Sequence, residues 1–235
     1  MNVRTLRWCT LAGPVFTLLF AIGFWPIARF MPPPAPWLTP AQLGLLFTEH
    51  ATRIRLGLQI VVIGSALYFP FVGAISVVIR HIEGRYHPLA YTQLAAGTGS
   101  ALVFIFPLMN LQSALYRAER PPVIMQAISD CSWIPFVGLL AVPMVQNFCL
   151  AAAIFADQSA EPLFPRWSAY FNVWVGLSFI PASLLPFVHS GPVAWNGVLS
   201  WYLGAVAFFA WIVVMTVLML RAIQALPQRD AELVA

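Results

Sequence analysis

The spacing of charged residues is the feature that most constrains this chain. Arg7 and Arg29 bracket 21 residues that include no Asp, Glu, Arg or His. Arg55 and Arg80 bracket 24, His87 and Arg117 bracket 29, and Asp130 and Asp157 bracket 26. From Trp167 to Leu220 run 54 residues in which only His189 titrates. A hydrocarbon layer about 30 Å thick takes about 20 helical residues to cross, so each of the first four stretches is long enough to span it once. The fifth is long enough for two spans. It divides at His189 to Gly197, where Gly191-Pro192 and Asn196-Gly197 are turn dipeptides and Pro192 cannot continue a helix interior.

These lengths predict an all-α, polytopic transmembrane helical bundle. Six spans are expected near residues 9–31, 54–80, 89–115, 131–156, 167–188 and 197–221, in a single transmembrane domain covering 1–235. Helices are the expected element because each must close its own backbone hydrogen bonds in lipid. Composition agrees: 60% of residues are hydrophobic and 9% charged, against about a quarter charged in a soluble domain. Such a surface is solvated by hydrocarbon, not by water.

The net charge of +4 does not point to nucleic acid, because the 12 basic residues stand singly or in pairs at the ends of apolar runs. All twelve are Arg, which excludes chemistry that needs a lysine amine. With both termini in the cytoplasm, Arg4, Arg7, Arg80, Arg85, Arg166, Arg221 and Arg229 lie inside and Arg29, Arg53, Arg55, Arg117 and Arg120 outside. Seven against five, together with the N-terminal pair, selects that orientation. Arg4 and Arg7 before an apolar run also resemble the start of a secretory signal, but the length of the run favours a retained helix.

Between the first two spans, Pro32-Pro33-Pro34-Ala35-Pro36 reads as a stiff, extended spacer. Thr39-Pro40 then starts a helix, and Leu43, Leu46 and Phe47 place apolar residues on one face, so an amphipathic interfacial helix is expected at 40–52. Trp8, Trp25, Trp37, Trp133, Trp167, Trp195 and Trp201 fall near span ends, where indoles sit at headgroup level. Cys9, Cys131 and Cys149 stand singly in apolar runs and read as small buried hydrophobes. Eight prolines interrupt the spans and outline a kinked bundle that can enclose a cavity.

Polar groups at membrane depth are costly, so each is a functional candidate. They gather at the outer end of the bundle. Asp130, Glu49 and His189 are the candidate proton-handling groups, and Arg53, Arg55, Asn196, Asn110 and Gln59 the candidate binding groups. Glu49 and Arg53 are spaced i, i+4, as in a helical ion pair. Deeper, Gln93, Asn147 and Asn172 read as interhelical hydrogen-bonding residues, and the run Ala95 to Ser100 as close packing by small residues. No HExxH, no GxSxG and only four histidines are present, so no metal and no cofactor is assigned.

Phe164-Pro165-Arg166-Trp167 with Tyr170-Phe171-Asn172, and Gly191-Pro192 with Ala194-Trp195-Asn196-Gly197, resemble a family of uncharacterised bacterial six-span integral membrane proteins. The resemblance implies a bacterial cytoplasmic membrane and carries no activity. The residues themselves point to a lipid-accessible cavity under a charged outer mouth, binding or modifying an apolar small molecule of lipid, terpenoid or steroid type. A transporter or channel subunit, with polar residues continuing through both halves, and an accessory subunit bound to another membrane protein are the alternatives. Membrane lipids are the remaining expected partner.

Overall fold

The computed structural model describes residues 3–117 and 119–232, with side chains described as far as residue 226. It is all-helical, and six helices are long and apolar enough to cross a membrane: Val3–Ile27, Pro40–Glu83, Pro88–Ala114, Pro122–Ala156, Trp167–Phe187 and Val198–Leu226. The chain is thus an integral membrane protein by length and composition. The expected spans match these helices in number and order. The divide in the 54-residue stretch falls where the turn dipeptides place it.

Prolines set the breaks within spans. Helix α1 (Val3–Ile22) passes into a π turn at Gly23–Ile27, where Pro26 removes the bond to the Ile22 carbonyl. Helix α2 (Pro40–Ser65) and α3 (Tyr68–Glu83) form the second span and part at Ala66, whose carbonyl Pro70 leaves without its helical partner. After α4 (Pro88–Ala114), the fourth span breaks between α5 (Pro122–Gly138) and α6 (Ala141–Ala156), at the carbonyl that Pro143 frees. The fifth is α7 (Trp167–Ser178) continued as a 3-10 helix, Ile180–Phe187, that contains Pro181 and Pro186. The sixth opens as a π turn, Val198–Tyr202, before α8 (Leu203–Glu232).

Pro40–Glu83 is 44 residues, about 66 Å if straight, twice the hydrocarbon thickness. It is not straight. His50, at φ −119° and ψ 15°, is non-helical and separates an amphipathic segment from the span proper. Thr39 starts that segment with a capping box: its hydroxyl accepts from the Gln42 amide while its own amide donates to the Gln42 carboxamide, 2.9 Å away. Leu43 and Phe47 are buried beneath it, and Gly44 lies against Pro122 at the start of α5. The expected interfacial helix is therefore present, packed on the bundle and ending at the kink.

Each span packs on the next in chain order, and the sixth closes on the first through α1 and α8. The result is an antiparallel ring with both termini at one end, here the terminal end. Helix α3 also contacts α6 and α8 across the ring, and its run from Phe71 to Ile79 is almost wholly buried, as expected for a central helix that is hydrophobic all round. Lipid instead meets Trp8, Leu11, Val15, Leu18 and Ile22, which share one exposed face of α1.

Two expectations are corrected at the far end. The proline-rich loop is not an extended spacer. Phe30, Pro33, Pro34 and Pro36 are buried, the Trp195 indole donates to the Pro34 carbonyl at 2.8 Å, and the Trp201 indole to the Met31 sulfur at 3.2 Å. This folded loop covers Trp133, Trp195 and Trp201, which are 1%, 7% and 5% exposed and so are not interface anchors. Trp8, Trp25, Trp37 and Trp167 are exposed, as that role requires. Cys131 is also exposed, and Cys9 and Cys149 are only partly covered, against the expectation of buried thiols.

Small residues set the closest approaches. A Cβ on Gly57 would sit 2.4 Å from the Gly23 carbonyl and 2.7 Å from the Ala28 amide, both rigid backbone, whereas one on Gly73 would meet nothing within 4 Å. Gly57→Ala is expected to destabilise the protein by about 1–3 kcal/mol and Gly73→Ala to leave it unchanged, as read by thermal unfolding in mild detergent.

Candidate functional site

The structure disperses most of the far-end polar residues. Glu49 is exposed, and His50, with its non-helical backbone, lies between it and Arg53. The i, i+4 face assumed for an ion pair is lost at that kink, and the two do not pair. Arg117 and Glu119 approach to 3.8 Å instead, both well exposed. Arg55 is half-buried and turns its Nε back to the Ala51 carbonyl. Arg53 is half-buried beside Arg29, whose like charge it feels, and its Nε is buried with no hydrogen-bond partner.

Asn110 and Gln59 serve the packing of spans. The Asn110 carboxamide donates to the Ser132 hydroxyl at 3.1 Å, tying α4 to α5, and Gln59 accepts from Gln112 at 3.2 Å, tying α2 to α4. Of the candidate proton-handling groups, Asp130 and His189 are brought near enough to interact through charge. Asp130 is half-buried, His189 exposed and Asn196 half-buried.

None of these eight residues lines the aromatic cavity inside the bundle. That cavity, about 100 Å³, lies in the middle of the bundle, displaced toward the far end. Its walls are Phe20 of α1, Phe104 of α4, Phe136 of α5, and Trp201, Phe208 and Phe209 of the sixth span. Leu139 and Leu140 enter from the break in the fourth span, Phe179 from the junction after α7, Ala182 from the 3-10 region of the fifth, and Ser200 from the π turn. Ser100 and Ser200 bring the only hydroxyls among the lining residues, and each is spent on a backbone carbonyl, of Ala96 at 3.1 Å and Val193 at 2.8 Å. The site is apolar and lined by rigid rings.

Beside it, on the outer surface between α4 and α5, runs a groove lined by Leu102, Phe106, Pro107, Asn110, Cys131 and Pro135. Val103 and Leu139 line both the groove and the cavity, so the two adjoin there. Leu139 sits where the helix is broken.

The inner polar residues mostly do the work their positions suggest. Gln93 meets the Ser76 hydroxyl, joining α3 to α4, and Asn172 accepts from the Trp211 indole at 2.8 Å, joining α7 to α8. Asn147 instead turns back to the Pro143 carbonyl of its own helix. The close packing expected of the small-residue run is seen at Gly97, where a Cβ would lie 2.3 Å from Val72.

Two features escaped sequence reasoning. One is a polar recess at the terminal end, lined by Val77, Arg80, His81 and His87 around the α3–α4 turn. Its signal was the pair of histidines flanking Gly84, which takes φ +72° in the turn. Glu83 does not face it alone, since its carboxylate caps α4 by accepting from the Leu89 and Ala90 amides at 2.8 and 2.7 Å. The other is Gln146, buried beside the cavity. Its signal was a carboxamide within 26 uncharged residues. Among the described residues no three His, Cys, Asp or Glu side chains gather as a metal site.

Comparison with protein families, with curated proteins and with solved structures finds no match. The geometry therefore carries the functional reading by itself. Asn110→Leu is expected to lower stability in detergent by about 1 kcal/mol, the scale of an interhelical hydrogen bond in a membrane. Glu49→Gln is expected to change it by less than about 0.5 kcal/mol, because the carboxylate is exposed and unpaired. Thermal unfolding of both variants checks the contrast.

Proposed function

We propose that this protein binds an apolar small molecule in the aromatic cavity, taking it from the bilayer through the groove between α4 and α5. The observation that carries this reading is a cavity of about 100 Å³ lined by seven aromatic residues in the middle of a membrane bundle. Engineered apolar cavities of about 150 Å³ stay dry and accept a benzene-sized guest. The volume here suits one ring or a branched chain end. A whole lipid, terpenoid or steroid is larger, so such a molecule would insert one end and leave the rest in the groove.

Lateral access is favoured because the groove and the cavity share Val103 and Leu139, whereas the folded proline-rich loop closes over the far end. Binding is favoured over a transport route by the separate partners of Gln59, Asn110, Asn147 and Asn172, which form no connected chain. The proposed location is a bacterial cytoplasmic membrane with both termini in the cytoplasm. Its support is the resemblance to bacterial six-span proteins and the arginine bias: Arg4, Arg7, Arg80, Arg85, Arg166 and Arg221 at the terminal end against five at the far end. Arg229, counted with the terminal set, lies outside the described side chains.

Gly204 supplies the test. It lines the cavity, and a Cβ added there meets only Phe179 at 3.8 Å, so a larger side chain enters the open space without striking backbone. The protein extracted in mild detergent is expected to carry one small molecule of defined mass, read by mass spectrometry, and Gly204→Leu to lose most of it while unfolding at a similar temperature. Undiminished retention by Gly204→Leu would place the ligand elsewhere. A stoichiometric protein partner with no small molecule would replace this reading by an accessory subunit.

A further inference from the structure

One side of α3 is left open along its whole length. Among the described residues from Tyr68 to His81, only Phe69, Pro70, Gly73, Val77, Arg80 and His81 are not buried. Their spacing of three and four sets them on one face of the helix. Helices α1 and α4 pack beside α3, and α6 and α8 meet it across the ring, so this stripe is the face those four leave uncovered. A Cβ added at Gly73, near its middle, meets nothing within 4 Å. From Phe69 to Arg80 the stripe runs about 16 Å along the axis, which is about the hydrocarbon depth of one leaflet.

At the terminal end the stripe runs into the polar recess of about 360 Å³, where Val77, Arg80 and His81 belong to both and His87 joins them from the turn. Arg80 is exposed and makes no hydrogen bond or ion pair among the described residues. The His81 ring is held by its Nδ1, which donates to the Val77 carbonyl at 2.9 Å. Glu83, the one acid in α3 and α4, has both carboxylate oxygens on the Leu89 and Ala90 amides. Arg85 brings a second guanidinium to the same turn, 5.6 Å from the Tyr86 ring. Tyr86 and Tyr91 are exposed beside the recess, and the Tyr91 ring stands edge-on to His87 at 6.2 Å. Exposed tyrosines at a span end mark headgroup level.

We propose that this face of α3 is a phospholipid site: the lipid's phosphate sits in the recess against Arg80, between His81 and His87, and one acyl chain lies along Val77, Gly73, Pro70 and Phe69. A guanidinium with unspent donors matches phosphate oxygens in charge and in geometry, and a basic pocket beside a membrane helix at headgroup level is the setting in which lipid phosphates are held. The uncovered apolar stripe directly below supplies what a soluble phosphate has no use for, a bed one leaflet deep. The site is separate from the aromatic cavity and does not depend on that cavity being occupied.

The test uses dioleoyl phosphatidylglycerol and dioleoylglycerol, which share their acyl chains and differ in the phosphate-bearing headgroup, titrated into the full-length protein in mild detergent and counted by native mass spectrometry. Wild type is expected to take up one phosphatidylglycerol about tenfold more tightly than dioleoylglycerol, the scale of one hydrogen bond to a charged group. Arg80→Gln is expected to bring that ratio close to one, while Arg166→Gln, which removes an equal charge at the same end, leaves it unchanged. Gly73→Leu, which fills the stripe, is expected to weaken both lipids several-fold and keep their ratio; Val77→Phe serves the same purpose if the leucine variant does not fold. Equal affinities of wild type for the two lipids, or the same loss in Arg166→Gln as in Arg80→Gln, would overturn the proposal. Undiminished lipid binding by the stripe variants, with inorganic phosphate displacing the lipid as readily as further lipid does, would make the recess a site for soluble phosphate and overturn the lipid assignment.

Discussion

Everything in this structure is arranged around the backbone hydrogen bonds that proline removes inside a bilayer. Hydrocarbon offers no water to replace them, so a broken helix is tolerated in the membrane only where protein surrounds it or where it borders a cavity. Besides the turn at Gly23–Ile27, three irregular segments fall in the far half of the bundle: Leu139–Leu140 and Ile180–Phe187, both set by prolines, and the proline-free turn Val198–Tyr202 that opens the sixth span. All three contribute lining to the same cavity. Their backbones are repaired locally: Leu140 donates to the Gly138 carbonyl at 2.9 Å, Ala182 to Phe179 at 3.1 Å, and Leu199 to Pro192 at 2.8 Å. The irregular segments cannot pack like straight helices, and the space they leave is the cavity.

Aromatic side chains keep that space open. Phe16, Phe20 and Phe24 repeat at helical spacing along the first span and present one face of rings to Phe104, Phe136, Trp201, Phe208 and Phe209. Edge-to-face contacts such as Phe16 on Phe104, with centroids 5.2 Å apart, hold each ring in place at angles that do not tile space completely. Flexible aliphatic chains would relax into the gap more readily. In the terminal half α3 occupies the centre of the ring, and Gly97 lets it approach α4 closely.

The spans were legible because they answer to a one-dimensional rule, the length of a charge-free run against the thickness of hydrocarbon. The capping box at Thr39 was legible for a similar reason, being complete within four residues. The cavity answers to no such rule: Phe20, Phe136 and Phe208 are ordinary apolar residues until three broken spans converge on them. Trp133 and Trp201 stand near span ends by counting, yet lie inside because the proline-rich loop returns over them, a tertiary event that local stiffness argues against. The far-end charges share one end of the bundle, but the helical face assumed for Glu49 and Arg53 is parted by the kink at His50, and Asn110 and Gln59 bond to neighbouring helices.

The charges and the cavity are separate because an aromatic layer stands between them. Phe24, Phe30, Trp133 and Trp201 contact one another with centroids 5.5 to 6.2 Å apart, and the loop that supplies Phe30 is fastened above by the Trp195 and Trp201 indoles. A polar molecule arriving at Asp130 and His189 would have to part those rings to go deeper. An apolar molecule in the groove meets Val103 and Leu139, which also line the cavity, and Leu139 is an exposed side chain at the end of α5, its amide still bonded to the Pro135 carbonyl at 3.1 Å. The smaller barrier is therefore on the lipid side. The polarity gathered at the far end fits anchoring of the bundle at the membrane surface.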